Sequence, residues 1–176
     1  MKKVQDGDFS KMGELFDRHH GALFGFFYRM TSNSAQSEDL IQNVFYRLLK
    51  YRHTYKNDGK FVYWMYAIAR NIYKDQYRKK DPMQYSDELS ELNEKVSEDM
   101  NMEEHIESTE QEALLKRAMK KIDPEKREAI VLSKFQGLKY HEIAAMTNVS
   151  ENAIKARVRR GLMELRSIME SAELSE

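Results

Sequence analysis

Residues 138–160 decide the fold class of this chain, and they read LKYHEIAAMTNVSENAIKARVRR. Ile143 and Met146 recur at helical spacing and predict a short helix. Asn148 follows it, a residue type that tolerates the positive φ of a tight turn. Ser150 has the side chain of an N-cap and predicts the start of a second helix. A short helix, a tight turn and a capped basic helix are typical of a helix-turn-helix.

The second helix has an apolar arc and a basic arc. The apolar arc is predicted to face inward and consists of Ile154, Val158, Leu162 and Leu165. The opposite side suits the major groove, because a capped N-terminus points at phosphate and small, polar or basic side chains reach base edges. The candidate duplex-DNA residues are Ser150, Asn152, Lys155, Ala156, Arg157, Arg159 and Arg160. An ordinary amphipathic helix with a solvated basic face is the alternative interpretation.

Charge is distributed unevenly along the 176 residues, although the formal net charge is zero. Residues 1–80 carry 15 basic and 8 acidic side chains, whereas residues 81–115 carry one lysine and 12 acids. Residues 116–176 carry 13 basic and 9 acidic side chains. Because salt screens charge beyond about 8–10 Å, the acidic middle does not neutralise the field at the two basic ends. The pattern indicates two basic modules joined by an acidic strap.

Helical periodicity covers both ends of the chain, and no segment alternates like a strand. Seven glycines and two prolines are too few for the many turns of a sandwich or barrel. A third helix is predicted from about Phe61 to about Lys80, where an Asp-Pro pair ends it. We therefore predict an all-α chain with two small helical domains, residues 1–80 and 112–176, joined by an acidic flexible linker, residues 81–111.

Several function classes are excluded or disfavoured. The chain has no cysteine, which excludes disulfides and thiolate sites. His19 and His20 are adjacent and point about 100° apart on a helix, so they cannot share a metal. No glycine-rich phosphate loop and no nucleophile elbow occurs. We expect no catalytic residue, no metal and no cofactor, and hence no enzyme. No apolar run is long enough for membrane insertion and the N-terminus is polar, so we expect a cytoplasmic protein.

The N-terminal domain is rich in tyrosine: eight of the ten tyrosines lie between Tyr46 and Tyr85, interleaved with lysines and arginines. On the third predicted helix the outward arc carries Tyr63, Tyr66, Arg70, Lys74 and Tyr77. Aromatic rings that stack on unpaired bases, with cations that hold phosphates, suit single-stranded DNA. In the alternative interpretation the tyrosines form the rim of the core, with their hydroxyls in water.

Three motifs in order resemble the sigma-70 family of RNA polymerase sigma factors, specifically its extracytoplasmic-function (ECF) group. Residues 39–45, DLIQNVF, resemble the family's DLxQxxF signature. Residues 64–71, WMYAIARN, followed by Asp75 and Arg78, resemble its W-L-x-x-I-A-R-N-x-x-x-D-x-x-R helix. Residues 142–144, EIA, and residues 150–160 resemble its region-four helix-turn-helix. The resemblance covers nearly the whole chain except the linker.

The resemblance implies that residues 1–80 are region 2, which binds the clamp helices of core RNA polymerase and recognises and melts the minus-10 element. It implies that residues 112–176 are region 4, which docks on the polymerase flap and reads the minus-35 element as duplex. The implied polymerase-binding residues are Asp39, Gln42 and Asn43. With the aromatic and basic arc, the candidates for minus-10 single-stranded DNA are Tyr51, Tyr55, Lys56, Tyr63, Arg70, Asn71, Lys74 and Arg78. An anti-sigma factor is a further partner that the resemblance suggests.

A rival hypothesis is a helix-turn-helix regulator that works without polymerase, with residues 1–80 as a dimerisation or sensor domain. It explains the C-terminal domain but assigns no role to the tyrosines and basic residues of the N-terminal one. The two hypotheses differ in one observable, because a regulator binds its duplex alone and a sigma factor acts only with core polymerase.

Overall fold

The computed structural model describes residues 1–56, 60–80 and 110–174, and within these ranges the regular structure is helical throughout, without a strand. A 3-10 turn spans Arg52–Thr54 and a π-helical turn spans Val131–Phe135. The helices are α1 (Lys2–Gln5), α2 (Lys11–Thr31), α3 (Ser34–Lys50), α4 (Phe61–Lys80), α5 (Glu110–Lys121), α6 (Pro124–Ile130), α7 (Tyr140–Thr147) and α8 (Glu151–Glu173). The all-α prediction is confirmed.

The N-terminal half is built from α2, α3 and α4, with α3 packed between the other two. Ser32 adopts a left-handed φ of 55° after α2, and the Asn33 side chain caps α3 by accepting from Gln36 N at 2.8 Å. Such a short connection turns the chain back on itself and pairs neighbouring helices. The core side chains are fully buried aromatic and aliphatic groups: Leu23, Phe26, Phe27, Ile41, Val44, Leu48 and Met65.

The C-terminal half begins with α5. In the sequence, an acceptor residue followed by proline at positions 123–124 predicts the start of a further helix, and α6 begins there. The Asp123 carboxylate accepts from Glu125 N at 3.0 Å and from Lys126 N at 3.2 Å, with Pro124 in the first helical position. Glu110 and Gln111 belong to α5, so this helix starts two residues before the predicted linker boundary. The rest of the predicted linker, residues 81–109, lies outside the described residues.

The inward face of α8 differs from the prediction in one position. Ile154, Val158 and Leu165 are buried as expected, but Leu162 is 36% exposed. Gly161 lies in the interface instead, and a Cβ built on it would approach Ile130 Cδ1 to 2.7 Å. The predicted apolar arc was wrong at Leu162 because α6 packs directly against α8 at Gly161, where there is no side chain, and a count of apolar residues cannot show this.

The two halves are in contact. Helix α2 packs against the π-helical turn, α5 and α6, and α4 packs against α7. The guanidinium of buried Arg127 on α6 donates to the Met30 carbonyl at the end of α2 at 3.1 Å. None of the described helices is long and apolar enough to cross a membrane.

Candidate nucleic-acid and polymerase interfaces

The polar face of α3 is open to solvent. Asp39, Gln42 and Asn43 are all exposed, and the opposite side of the helix buries Leu40 and Val44. An amphipathic helix of this kind fixes the backbone through its apolar stripe and leaves the polar stripe available to a partner. The three predicted polymerase-binding residues therefore share one accessible surface.

Sequence reasoning assigned no role to Tyr46, which extends this surface. Tyr46 is 63% exposed and follows Asn43 by three residues on α3, so the two side chains are neighbours. The Lys50 ammonium lies 5.8 Å from the Tyr46 ring centre and 5.5 Å from the Tyr51 ring centre. Cation–π contacts at these distances hold exposed rings in place. The helical spacing of residues 43, 46 and 50 in the sequence is the pattern that could have identified Tyr46 as part of this surface.

The predicted single-stranded DNA residues do not form one open face. Tyr51, Lys56 and Asn71 are exposed, and Lys74 is partly exposed. The side chain of Arg78 lies outside the part of the chain that the structure describes, as does that of Tyr77.

Tyr55, which the family resemblance made a candidate for minus-10 single-stranded DNA, is buried in this structure. It is 8% exposed, and its ring centre lies 5.2 Å from that of Trp64 and 6.1 Å from that of Phe61. Gln5 of α1 donates to the Tyr55 carbonyl at 2.7 Å and holds the backbone there. The 3-10 turn directs this side chain into an aromatic cluster at the start of α4, so the ring does not lie on the open surface.

The expected outward face of α4 is covered by the C-terminal half. The Tyr63 hydroxyl donates to Glu142, and the Tyr66 hydroxyl donates to Gln136 Oε1 at 2.6 Å. The prediction that Tyr63, Tyr66 and Arg70 point into solvent is therefore wrong for this arrangement of the two halves. Tyr66 is 2% exposed, and burial raises the pKa of its hydroxyl, which stays protonated and able to donate.

Arg70 completes the covered face. Its Nε lies 2.9 Å from Glu128 Oε1, and the two side chains are only 11% and 6% exposed. Neither atom finds an aligned hydrogen bond in the described structure, so opposite charge rather than hydrogen-bond geometry holds the pair. The contact between Glu128 and Arg70 was not predicted from the sequence, because helical periodicity identifies a polar face but not the element that covers it.

The helix-turn-helix forms as predicted. Helix α7 ends at Asn148 with φ 57°, and the Ser150 hydroxyl caps α8 by accepting from Ala153 N at 3.1 Å. The carboxylate of Glu142 closes the start of α7 by accepting from Lys139 N at 2.8 Å. The turn at Asn148 and the cap at Ser150 are local features, which is why the sequence alone identified them; the cap by Glu142 was not predicted.

The reading face of α8 is accessible. Its exposed side chains are Asn152, Lys155, Arg159 and Arg160, while Ala156 and Arg157 are partly buried. Lys155 Nζ lies 2.8 Å from Glu151 Oε1, and the hydrogen bond from this lysine holds the pKa of the Glu151 carboxyl below its usual value. Arg157 Nη2 lies 2.5 Å from Glu125 Oε2 on α6, which places it on the flank, as predicted. The surface has a central basic stripe, and beside it lies Arg157, which is paired with Glu125.

No group of three or more histidine, aspartate or glutamate side chains that could hold a metal occurs within residues 1–56, 60–80 and 110–174.

Two stretches of the chain match models of one protein family. Residues 15–82 match Sigma-70 region 2, and residues 112–165 match Sigma-70, region 4. The RNA polymerase sigma factor CarQ of Myxococcus xanthus is 30% identical over 174 residues, which cover 99% of this chain and 98% of that relative. The ECF RNA polymerase sigma factor SigW of Bacillus subtilis is 28% identical over 173 residues, which cover 94% and 92% of the two chains.

Two solved structures share the fold. CnrH in complex with the cytosolic domain of CnrY matches with a TM-score of 0.72 and 20% identity, over 97% of this chain and 94% of that one. The sigma factor RpoE in complex with the anti-sigma factor NepR from Bartonella quintana matches with a TM-score of 0.71 and 23% identity, over 90% and 96%. At these identities the structural matches establish the fold alone.

Proposed function

Because the chain belongs to the ECF group of the sigma-70 family, we propose that its two halves divide promoter recognition between melted and duplex DNA. The protein is a sigma factor that binds core RNA polymerase and directs promoter recognition, DNA melting and initiation. The observation that carries this assignment is the coexistence in one chain of a capped helix-turn-helix and a separate region-2 bundle. Residues 1–80 are the proposed region 2, residues 81–111 the linker and residues 112–176 region 4.

Region 2 is proposed to meet polymerase through α3. The exposed Asp39, Gln42 and Asn43 form the proposed contact with the clamp helices, and Tyr46 extends it. Polar side chains on a rigid helix suit such a contact, because the buried stripe of α3 fixes their positions before binding. The α4 residues Tyr63, Arg70, Asn71 and Lys74 are proposed to hold the melted strand, with Tyr63 and Arg70 doing so once their face is accessible.

Region 4 is proposed to read the minus-35 element with α8 in the major groove. Lys155 and Arg159 lie at the centre of the exposed stripe, where base edges come within reach. Arg157 lies beside the stripe, where a phosphate could replace Glu125 as its partner. Asn152, Ala156 and Arg160 complete the proposed reading surface, with Ser150 fixing the start of the helix.

The polymerase performs the chemistry, and we propose that this chain has no catalytic centre of its own and works in the cytoplasm beside the polymerase. A regulator that acts without polymerase would leave the region-2 match over residues 15–82 without an explanation. One structural neighbour is the sigma factor RpoE in complex with the anti-sigma factor NepR, and the other is CnrH in complex with the cytosolic domain of CnrY. We propose an anti-sigma factor as a further partner of this chain.

We expect Asn43→Lys to weaken binding of core RNA polymerase at least about tenfold, since it adds an unpaired charge to a contact surface. The side chain is exposed, so the thermal midpoint should change little. Co-purification with core polymerase measures the loss, and Ala35→Lys, an equal charge change at another exposed position of α3, is the control. Equal binding by both variants and the wild type would show that this surface is misassigned.

The recognition helix allows base contacts to be separated from phosphate contacts. We expect Arg159→Ala to lower discrimination at particular minus-35 base pairs by about 1–3 kcal/mol. Arg157→Ala should instead weaken binding about equally on all promoter variants and reduce the salt slope by about one. Initiation with core polymerase on single-base promoter variants, at two salt concentrations, measures both. A uniform loss for Arg159→Ala with a base-specific loss for Arg157→Ala would mean that α8 is rotated differently in the groove.

A further inference from the structure

Two exposed aromatic rings of the N-terminal half each lie beside a cation of the segment that follows α3. Tyr51 is 41% exposed, and the Lys50 ammonium lies 5.5 Å from its ring centre. Phe9 is 51% exposed, and the Arg52 guanidinium lies over its ring, 5.1 Å from the centre. Residues 50–52 therefore supply two cations and a ring, and Phe9 adds a second ring from a distant part of the sequence. The Sigma-70 region 2 match begins at residue 15, so it assigns no role to Phe9.

The N-terminal helix holds Phe9 beside this segment. Gly7 has a φ of 101°, a backbone conformation that favours glycine, and it turns the chain from α1 toward α2. Gln5 on α1 donates to the carbonyls of Arg52 and Tyr55, each at 2.7 Å. Because these two hydrogen bonds anchor α1 to the 3-10 turn, the position of Phe9 relative to Arg52 is fixed before any ligand binds.

The Arg52 side chain is also fixed, and it keeps donors available. Its Nη1 donates to the Leu49 carbonyl at the end of α3 at 3.0 Å, and the residue is partly exposed. A guanidinium has five N–H donors, and the ones that Leu49 does not use suit a phosphate. A half-exposed Phe9 stabilises the fold less than a buried phenylalanine would, whereas a base stacked on its ring would cover it.

Single-stranded DNA is the ligand that fits neighbouring rings and cations of this kind. Aromatic rings stack on unpaired bases, and ammonium or guanidinium groups hold the phosphates between them. The bases of a duplex are stacked on one another, so their faces are not accessible to a side chain. Lys56 is exposed just beyond the turn and adds a further cation to this surface.

We propose that Phe9 and Arg52 form a stacking site for a second unpaired base of the melted promoter strand, next to the base at Tyr51. The proposal rests on the function proposed above and on Tyr51 as a candidate for minus-10 single-stranded DNA. The Phe9 ring stacks on the base, and Arg52 binds the adjoining phosphate. The site extends the single-stranded DNA surface from the 3-10 turn to the N-terminal segment of the chain.

A photocross-linking side chain at position 9 tests the site directly. Phe9→p-benzoylphenylalanine, bound to core RNA polymerase, should cross-link to one strand of a promoter whose minus-10 segment is unpaired. The same side chain in place of Phe16, which is 37% exposed on α2, is the matched control and should not cross-link to DNA. Cross-links from position 9 to polymerase subunits alone, or equal DNA cross-links from both positions, would overturn the stacking site.

The affinity for premelted promoter separates the aromatic ring from its apolar bulk. With core polymerase present, Phe9→Leu should bind this DNA about fivefold more weakly than the wild type, because it keeps an apolar side chain and loses the ring. Phe9→Trp restores a ring and should bind at least as tightly as the wild type. Phe16→Leu is the control and should bind like the wild type, and thermal melts establish that each variant is folded.

Initiation separates failure of the stacking site from failure of the proposed function. If the wild type initiates with core polymerase and Phe9→Leu binds premelted promoter as tightly as the wild type, the stacking site is wrong and the sigma function stands. An equal loss for Phe9→Leu and Phe9→Trp would also overturn the site, because the ring would then not be what matters. If the wild type does not initiate with core polymerase, the proposed function fails and the stacking site fails with it.

Discussion

Gly161→Val is expected to lower the free energy of unfolding by about 2–3 kcal/mol and to abolish minus-35 recognition. Even the Cβ of an alanine at this position would lie 2.7 Å from Ile130 Cδ1 and 3.1 Å from Lys126 Cβ. Two further methyl groups cannot be accommodated unless α8 moves away from α6. The movement displaces the reading face of α8, so the loss of stability and the loss of recognition have one cause. Urea unfolding and promoter binding with core polymerase measure the two effects.

Gly21 provides the matched control for this substitution. It lies in the interior of α2, is exposed, and has open space where a Cβ would be built. Gly21→Ala should therefore stabilise the chain by up to about 1 kcal/mol, through helix propensity alone. If Gly161→Val were as stable as the wild type, the close contact between α6 and α8 would be wrong.

Arg127→Ala is expected to cost about 3 kcal/mol of unfolding free energy, because it removes several charge-assisted hydrogen bonds at once. Arg127 is 8% exposed, and its guanidinium donates to the carbonyls of Lys120 at 2.6 Å, Ile122 at 2.9 Å and Met30 at 3.1 Å. These carbonyls lie at the C-terminal ends of α5 and α2, where a cation also interacts favourably with the helix dipoles. The substitution leaves all three without this donor.

Arg166 on α8 is the control for the loss of an arginine. Its side chain is 81% exposed and pairs with Glu170 one helical turn away. Arg166→Ala should leave the urea midpoint essentially at the wild-type value, because an exposed ion pair contributes little to stability. Equal urea midpoints for Arg127→Ala and Arg166→Ala would contradict the role of Arg127 in joining the two halves.

The features that the sequence predicted correctly are local ones. The caps at Asp123 and Ser150 and the turn at Asn148 depend on residues within one helical turn of each other. The exposed polar face around Gln42 and Asn43 follows from the apolar stripe on the opposite side of the same helix. Short-range hydrogen bonds and helical periodicity are sufficient to determine such features.

The features that it missed depend on distant parts of the chain. Tyr63 and Arg70 were expected in solvent and lie instead against Glu142 and Glu128, which are 79 and 58 positions away in the sequence. Leu162 was expected in the core but is exposed. Its neighbour Gly161 lies against α6 instead, because α6 approaches closely there. Hydrophobic patterning predicts which face of a helix is polar, but it does not predict which other element of the fold covers that face.

The central claim is that this chain binds core RNA polymerase and directs it to initiate transcription at promoters. Run-off transcription with purified core polymerase, on genomic promoter fragments and at several concentrations of the chain, tests it most directly. The account predicts no transcript from either component alone and discrete, saturable transcripts when both are present, reduced by Asn43→Lys and not by Ala35→Lys. Tight, sequence-specific binding of the chain alone to duplex DNA, with no transcript from the combined proteins at any concentration, would contradict it.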